Sequence, residues 1–113
     1  MKRVSFDGIG QVLATFEAEE GVKAGQTVEM SGDGTVKLCA NGKRPAGVAV
    51  AVRDGCAAVQ VRGFVTVKAA GVTAGWVKLS ADGSGGMKVD ESMGVEHLVA
   101  EADDTAGTIV VLL

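Results

Sequence analysis

This chain of 113 residues lacks tyrosine, has one proline, and carries aromatic side chains at only 4% of its positions. Apolar residues nevertheless make up 47% of the sequence, so valine and alanine must build most of the core. Each small side chain buries little area and contributes little hydrophobic free energy. We therefore expect the protein to gain stability from contacts between subunits, as a homo-oligomer.

His97 is the only histidine, which excludes metal sites built on histidine pairs and leaves little material for a catalytic triad. The nearby serines, at positions 80, 84 and 92, do not lie in a nucleophile-elbow motif. Asp33-Gly34 and Asp82-Gly83 each offer one carboxylate, where a calcium loop needs several at set intervals. We expect no catalytic, cofactor or metal site, and hence no enzyme.

The charge pattern and the apolar runs argue against two classes of partner. There are 11 basic and 14 acidic residues, with no basic stripe that could follow a nucleic-acid backbone. The longest apolar stretches, such as residues 109–113, fall far short of the roughly 20 residues that a membrane-spanning helix requires. We expect neither nucleic acid nor membrane as a partner.

Cys39 and Cys56 show no C-x-x-C spacing, and no signal peptide is recognisable. This pattern favours two free thiols in a reducing cytoplasm, although spacing alone leaves a disulfide open.

The chain contains an internal repeat. Residues 21–34 have the sequence GVKAGQTVEMSGDG, and residues 71–83 have GVTAGWVKLSADG, which is one residue shorter. The match continues from residues 36–38 to 87–89, from 46–48 to 93–95, and from 57–61 to 107–111. Two units are too few for an open solenoid. We expect a single domain, residues 1–113, in which repeats 21–67 and 71–113 close on each other.

Turn signals and two-residue periodicity indicate β-structure. Asp-Gly and Asn-Gly pairs, which suit tight hairpins, occur at positions 7, 33, 41, 54 and 82. Between them valines alternate with other residues, as at Val48, Val50 and Val52. Gly63 interrupts a similar alternation, and we expect residues 56–68 to form one long strand bent at that glycine. The predicted fold is all-β, a compact barrel or sandwich of two related halves.

Residues 1–20 lie outside the repeated phrase and are predicted to form an N-terminal arm followed by one strand. Val12, Ala14, Phe16 and Ala18 alternate as a strand does. Lys2, Arg3 and Phe6 in the arm are candidates for contact with a neighbouring protein or another subunit, and so is Trp76 in the second repeat. The arm could equally pack on its own barrel.

One alternative function rests on Met87-Lys88-Val89, which follows a glycine pair and is similar to the Met-Lys hairpin of biotinyl and lipoyl domains. Those carriers are also built of repeated β halves. The acidic residue expected before the lysine is missing, and Lys37 occupies the same place in the first repeat. A solvent-facing strand lysine is the simpler interpretation, with a small carrier or ligand-binding β module as the alternative.

The order of these features resembles tailed-phage capsid cement, or head decoration, proteins. The resemblance lies in the strand entered through Ala24-Gly25, the Gly47-Val48-Ala49 motif, and the V-R-G-F-V segment at residues 61–65. It implies an all-β, non-enzymatic structural protein of a phage or prophage virion, made in the bacterial host cytoplasm. As family analogy it also implies binding to the outside of the major capsid protein lattice, with a trimer favoured. Trp76, which stands where the first repeat has Gln26-Thr27, is a departure that bears on the docking surface.

Overall fold

A computed structural model describes Ser5, Phe6 and residues 8–113 of the chain, and these residues form ten β-strands with no helix. The prediction of an all-β fold is confirmed. It follows that no helix in this described part could span a membrane. The strands are β1 (Val12–Ala18), β2 (Thr27–Gly32), β3 (Thr35–Leu38), β4 (Gly47–Arg53), β5 (Cys56–Arg62), β6 (Phe64–Lys68), β7 (Gly75–Ala81), β8 (Met87–Val89), β9 (Val95–Asp103) and β10 (Thr108–Leu112).

Two of the Asp-Gly pairs form hairpin turns as the sequence indicated, whereas the hairpin predicted at Asn41-Gly42 is wrong, because that segment connects β3 to β4, which are not neighbours in the barrel. Asp54 and Gly55, between β4 and β5, have φ angles of 52° and 77°. Positive φ at both central residues is the type I′ geometry, whose twist matches that of the flanking strands. Asp33-Gly34 lies between β2 and β3, and Gly34 likewise has a positive φ of 67°.

The first five strands close into a barrel in the order β1-β3-β2-β4-β5, with β5 returning to β1. Closure depends on a short parallel pairing of β1 with β3, in which Glu17 lies opposite Thr35 and Ala18 opposite Val36. The Glu17 N–H donates to Gly34 O (2.8 Å) and the Glu19 N–H donates to Val36 O (2.9 Å). A closed barrel leaves no sheet edge exposed to unwanted pairing.

The last five strands repeat this arrangement in a second sheet of order β6-β10-β9-β7-β8. Each strand corresponds to the one five places earlier, so β6 is the counterpart of β1. Both halves have a register shift at the same place: Val50 of β4 has no partner residue on β5, and Ala100 of β9 has none on β10. The sheet order places β6 and β8 at opposite edges of this second sheet, so it stays open where the barrel closes.

Each half has its own apolar cluster, built from corresponding positions. Val48 of β4 is buried in the cluster of the second half, so it joins the two. Five buried members of the barrel cluster have counterparts in the second half: Val22 and Val72, Val28 and Val77, Ala49 and Val99, Ala57 and Ile109, and Val59 and Val111.

The strand order locates the boundary between the halves at Gly63. We propose units from β1 to β5 and from β6 to β10, where the repeated phrase alone suggested residues 21–67 and 71–113. In this division β1, the strand within residues 1–20, has β6 as its counterpart, and Thr15 of β1 corresponds to Thr66 of β6. The match of residues 57–61 with 107–111 also shifts by two positions, since Ala57 takes the place of Ile109.

The prediction of one long strand over residues 56–68 is wrong, because the chain passes from one sheet to the other at Gly63. Gly63 is buried and has a φ of 94°, which disfavours any residue with a side chain. A Cβ at this position would lie 2.5 Å from the carbonyl carbon of Gly10. The glycine therefore serves a crossing of two backbone segments.

Backbone and side-chain hydrogen bonds join the two halves. Thr27 at the start of β2 donates its N–H to Gly85 O (2.9 Å) and its hydroxyl to Gly86 O (3.3 Å). Farther along, the Gly42 N–H donates to Ala81 O and the Ala81 N–H donates to Lys43 O. These bonds fix the halves side by side and determine which face of each sheet is covered.

Candidate interaction surface

Phe6, one of the predicted contact residues, packs against the chain's own second half. Its ring centroid lies 5.4 Å from that of Phe64, with the planes inclined by 48°. The adjoining backbone is fixed as well, since the Gly8 N–H donates to Phe64 O and the Phe64 N–H donates to Ile9 O. Lys2 and Arg3, the other two predicted arm contacts, lie outside the described residues.

Gln60 anchors the arm to the junction between the halves. This side chain is almost fully buried, and its Oε1 accepts a hydrogen bond from Gln11 Nε2 (3.1 Å). Its Nε2 donates to the carbonyls of Arg62 (3.1 Å) and Phe64 (2.9 Å), on either side of Gly63. A buried amide needs such partners, because an unsatisfied polar group is costly to bury. The arm from Phe6 onward is thus part of the fold.

Trp76, the fourth predicted contact, is 66% exposed and lies at one end of a row of large apolar side chains on the outer face of the second sheet. Residues directly opposite each other on neighbouring strands project from the same face. Adjacent strands are about 4.8 Å apart, so a row across four strands spans roughly 14 Å. The members of this apolar row, in spatial order, are Phe64, Leu112, Leu98 and Trp76.

The first half carries the same row at corresponding positions, and there it is covered. We call it the barrel row; its members, in spatial order, are Leu13, Gln60, Val48 and Thr27. Three of the four are buried against the second half, with Thr27 bonded to Gly85 and Gly86 as described above. The same face of the repeated unit is therefore buried in a contact within the chain in one half, whereas in the other half Phe64, Leu112 and Leu98 are half-buried and Trp76 is exposed.

A shallow depression of about 400 Å³ adjoins Trp76 at the edge of the apolar row. Lys78 lies opposite Glu96 in the β7 to β9 pairing, and both line the depression. Glu91 and Val89 line it too. The depression therefore combines an indole face with two carboxylates and one ammonium group.

The loop before β9 is held by Asp90. This carboxylate accepts hydrogen bonds from the Met93 N–H (2.9 Å), the Ser80 hydroxyl (2.8 Å) and the Ser92 N–H (3.2 Å). These bonds, the one from Met93 foremost, lower the pKa of Asp90 below its ordinary value. The loop presents Met93 at 75% exposure.

Other residues singled out from the sequence do not assemble into a reactive site. Both cysteines are free, with Cys39 buried and Cys56 exposed. His97 Nδ1 lies 3.1 Å from Leu112 O, and the ring borders a cleft between the halves. Lys37 and Lys88 both lie within strands, at β3 and β8, and Lys88 pairs opposite Ser80. Among the described residues there is no group of three or more metal-ligating side chains.

The fold matches solved phage structures. No family model matches the chain, and no curated protein matches it. One solved relative is the N base of head fiber gp8.5 of bacteriophage phi29, with a TM-score of 0.65, 21% identity, and coverage of 91% of this chain and 93% of that chain. A chain in the capsid of Myoviridae phage XM1 has a TM-score of 0.67, 17% identity, and coverage of 90% and 82%. The structural neighbours are thus phage head and capsid proteins, as the sequence resemblance implied, and what the chain shares with them is the fold.

Proposed function

We propose that this chain is a non-enzymatic structural protein that binds the outside of a phage or prophage capsid shell and stabilises it, as decoration or cement proteins do. The observation that carries the proposal is the match of about nine-tenths of the chain to two phage head and capsid chains. Trp76 supports it, because this large apolar side chain is 66% exposed at the end of a row of half-buried apolar residues, and exposed apolar surface of this kind is typical of protein-binding sites.

The physical effect of such a protein follows from mass action. A protein that binds the assembled shell and not the dispersed subunits stabilises the assembly by its binding free energy at every site. Many copies of a modest contact then act together on one lattice. Neither a cofactor nor a catalytic group is required for this effect.

We also propose that the protein acts as a homo-oligomer, with a trimer favoured. The cores support this, because they consist mostly of valine and alanine, and each of these small side chains contributes little hydrophobic free energy. Sedimentation equilibrium at micromolar concentration should give a mass three times that of the chain. A stable monomer under these conditions would remove this part of the proposal.

Shell stabilisation is the direct test of the function. Empty shells are assembled from the major capsid protein encoded with this chain, and their disruption by heat is followed with and without the purified protein. The proposal predicts a higher disruption temperature with the protein present and no binding to unassembled capsid subunits. An unchanged temperature at saturating protein would refute the proposal, and intact-mass detection of a lipoyl or biotinyl group on Lys88 would favour the carrier alternative.

A further inference from the structure

We infer that the apolar row with the depression beside Trp76 is the surface that docks on the shell, and that it takes an apolar patch bearing a lysine or arginine side chain. This inference rests on the proposed function and adds to it the surface used and the chemistry of the partner. Three independent features of the second half support it: the internal duplication, the side chains around Trp76, and the distribution of charge.

The duplication provides an internal comparison for the apolar row. Thr27 occupies the position of Trp76 in a unit with the same strand order, so the scaffold folds without an indole there. Gln60 likewise stands where the second half has Leu112. The first half folds with polar residues at these two positions, so folding does not require Trp76 and Leu112 in the second half. Contact with a partner would account for them.

The covered state of the barrel row shows what this face does in the same chain. Val48, in the middle of that row, is 1% exposed and inserted into the second half. Its counterpart Leu98 lies on a face that no part of the described chain covers to the same degree, beside Trp76 at 66% exposure. An aromatic side chain that is exposed in the free protein and buried at the centre of a contact is typical of a binding hot spot.

A second copy of this chain does not fit the apolar row in the way that the second half fits the barrel row. Within this chain, Val48 of the barrel row packs into the second sheet, which is open. A second copy placed on the apolar row in the same way would present its first half, which is a closed barrel. In the barrel, the side of β3 that such a contact would use is already paired with β1, since Gly34 O accepts from the Glu17 N–H. The contact therefore cannot continue from copy to copy by the same geometry, and a different partner is required.

Charge indicates the chemistry of that partner. Residues 64–113 carry three lysines and seven acidic residues, a net charge of −4, whereas residues 1–63 carry eight basic and seven acidic residues, a net charge of +1. Glu91 and Glu96 line the depression at the exposed indole. A lysine or arginine of the partner could lie over the Trp76 ring as a cation on an aromatic face and pair with these carboxylates. Complementary charge of this kind mainly sets partner choice and association rate.

The test compares binding of variants to the same shells of major capsid protein. Trp76→Thr installs the side chain of Thr27, its counterpart, and should weaken binding at least about tenfold, as truncation of a central aromatic does. Met93→Ala removes a large apolar side chain that is 75% exposed and belongs neither to the row nor to the lining of the depression, and should bind like the wild type. Glu91→Lys should weaken binding and its dependence on salt, whereas Glu19→Lys, an exposed site in the barrel half, should leave both nearly unchanged.

The outcomes separate this inference from the proposed function. Failure of the wild-type protein to bind shells removes the proposed function and with it the inference. Wild-type binding that Trp76→Thr and Glu91→Lys leave unchanged, with both variants folded by thermal unfolding, overturns the inference alone. Loss of self-association in Trp76→Thr by sedimentation velocity would also overturn it, since the row would then be a contact between copies.

Discussion

At the scale of single residues, the two thiols differ most sharply in environment. Burial raises the pKa of Cys39 to about 11, with a further increase from the carboxylate of Glu29 and a partial decrease from Lys43. Cys56 is exposed at the start of β5. Because the thiolate is the reacting species, Cys39 should be inert near neutral pH in the folded protein.

Thiol titration at pH 8 checks this expectation. A chromogenic disulfide reagent should modify one thiol per native molecule and two per unfolded molecule. The variant Cys56→Ser should give none in the native state. Rapid modification of Cys39 in a folded Cys56→Ser protein would contradict the burial that the structure assigns to it.

Gln60 is the buried polar residue on which the junction depends. Gln60→Leu removes two hydrogen bonds to the carbonyls of Arg62 and Phe64 and leaves those groups without that donor. We expect a loss of about 1–3 kcal/mol in the free energy of unfolding, measured by urea denaturation. Gln26→Leu is the control, since its side-chain bond to the Lys23 N–H is exposed and should be worth less. Equal losses for the two variants would contradict the role of Gln60.

At the scale of elements, Gly63 is the point where the chain changes sheets, and its substitution should cost more than that of a turn glycine. Gly63→Ala combines a positive φ with contact of the new Cβ with Gly10, while Gly55→Ala has a φ of 77° and no atom within 4 Å of the new Cβ. Unfavourable backbone angles alone cost about 1–3 kcal/mol. Urea denaturation should therefore show Gly63→Ala to be the less stable of the two. A smaller loss for Gly63→Ala than for Gly55→Ala would contradict the crossing.

The N-terminal arm divides into two parts with different expected roles. Deletion of residues 1–4 removes Lys2 and Arg3 but leaves the packing of Phe6 on Phe64. Deletion of residues 1–10 also removes that packing and the bonds of Gly8 and Ile9, and should give a lower melting temperature than the shorter deletion. If Lys2 and Arg3 contact the shell, the shorter deletion binds shells less tightly. Full occupancy by that variant would assign shell binding to other residues.

Much of the element structure could be predicted from the sequence, and the reasons for the failures are specific. Asp-Gly pairs and alternating valines indicate hairpins directly, because they report local backbone angles and burial. The correspondence of β1 with β6 was missed, since the clearest shared residue is the threonine at positions 15 and 66. A signal was present in Thr15, Gly21 and Val22, which recur as Thr66, Gly71 and Val72.

The interaction surface was predictable only in part. Trp76 was identifiable because large aromatic residues are scarce in this chain. Phe64, Leu98 and Leu112 join it only through the register of four strands, and a single skipped residue in β9 changes which side chains share a face.

At the scale of the whole molecule, duplication and asymmetry have separate consequences. The duplicated units supply two cores from corresponding positions, and the bonds between them cover the barrel row. In the second half, Trp76 is left exposed at the end of the corresponding row, next to an excess of acidic residues. The same repeated face is therefore a contact within the chain in one half and a candidate contact for a partner in the other.

We propose that this chain binds the outside of an assembled phage shell, and electron cryomicroscopy can observe such binding. Shells made from the major capsid protein of a phage or prophage that encodes this chain are imaged after saturation with the purified protein. Binding as proposed gives added density of the size of this fold at symmetry-related positions on the outer surface, with the second half facing the shell. An outer surface identical to that of undecorated shells at saturating protein would overturn the proposal.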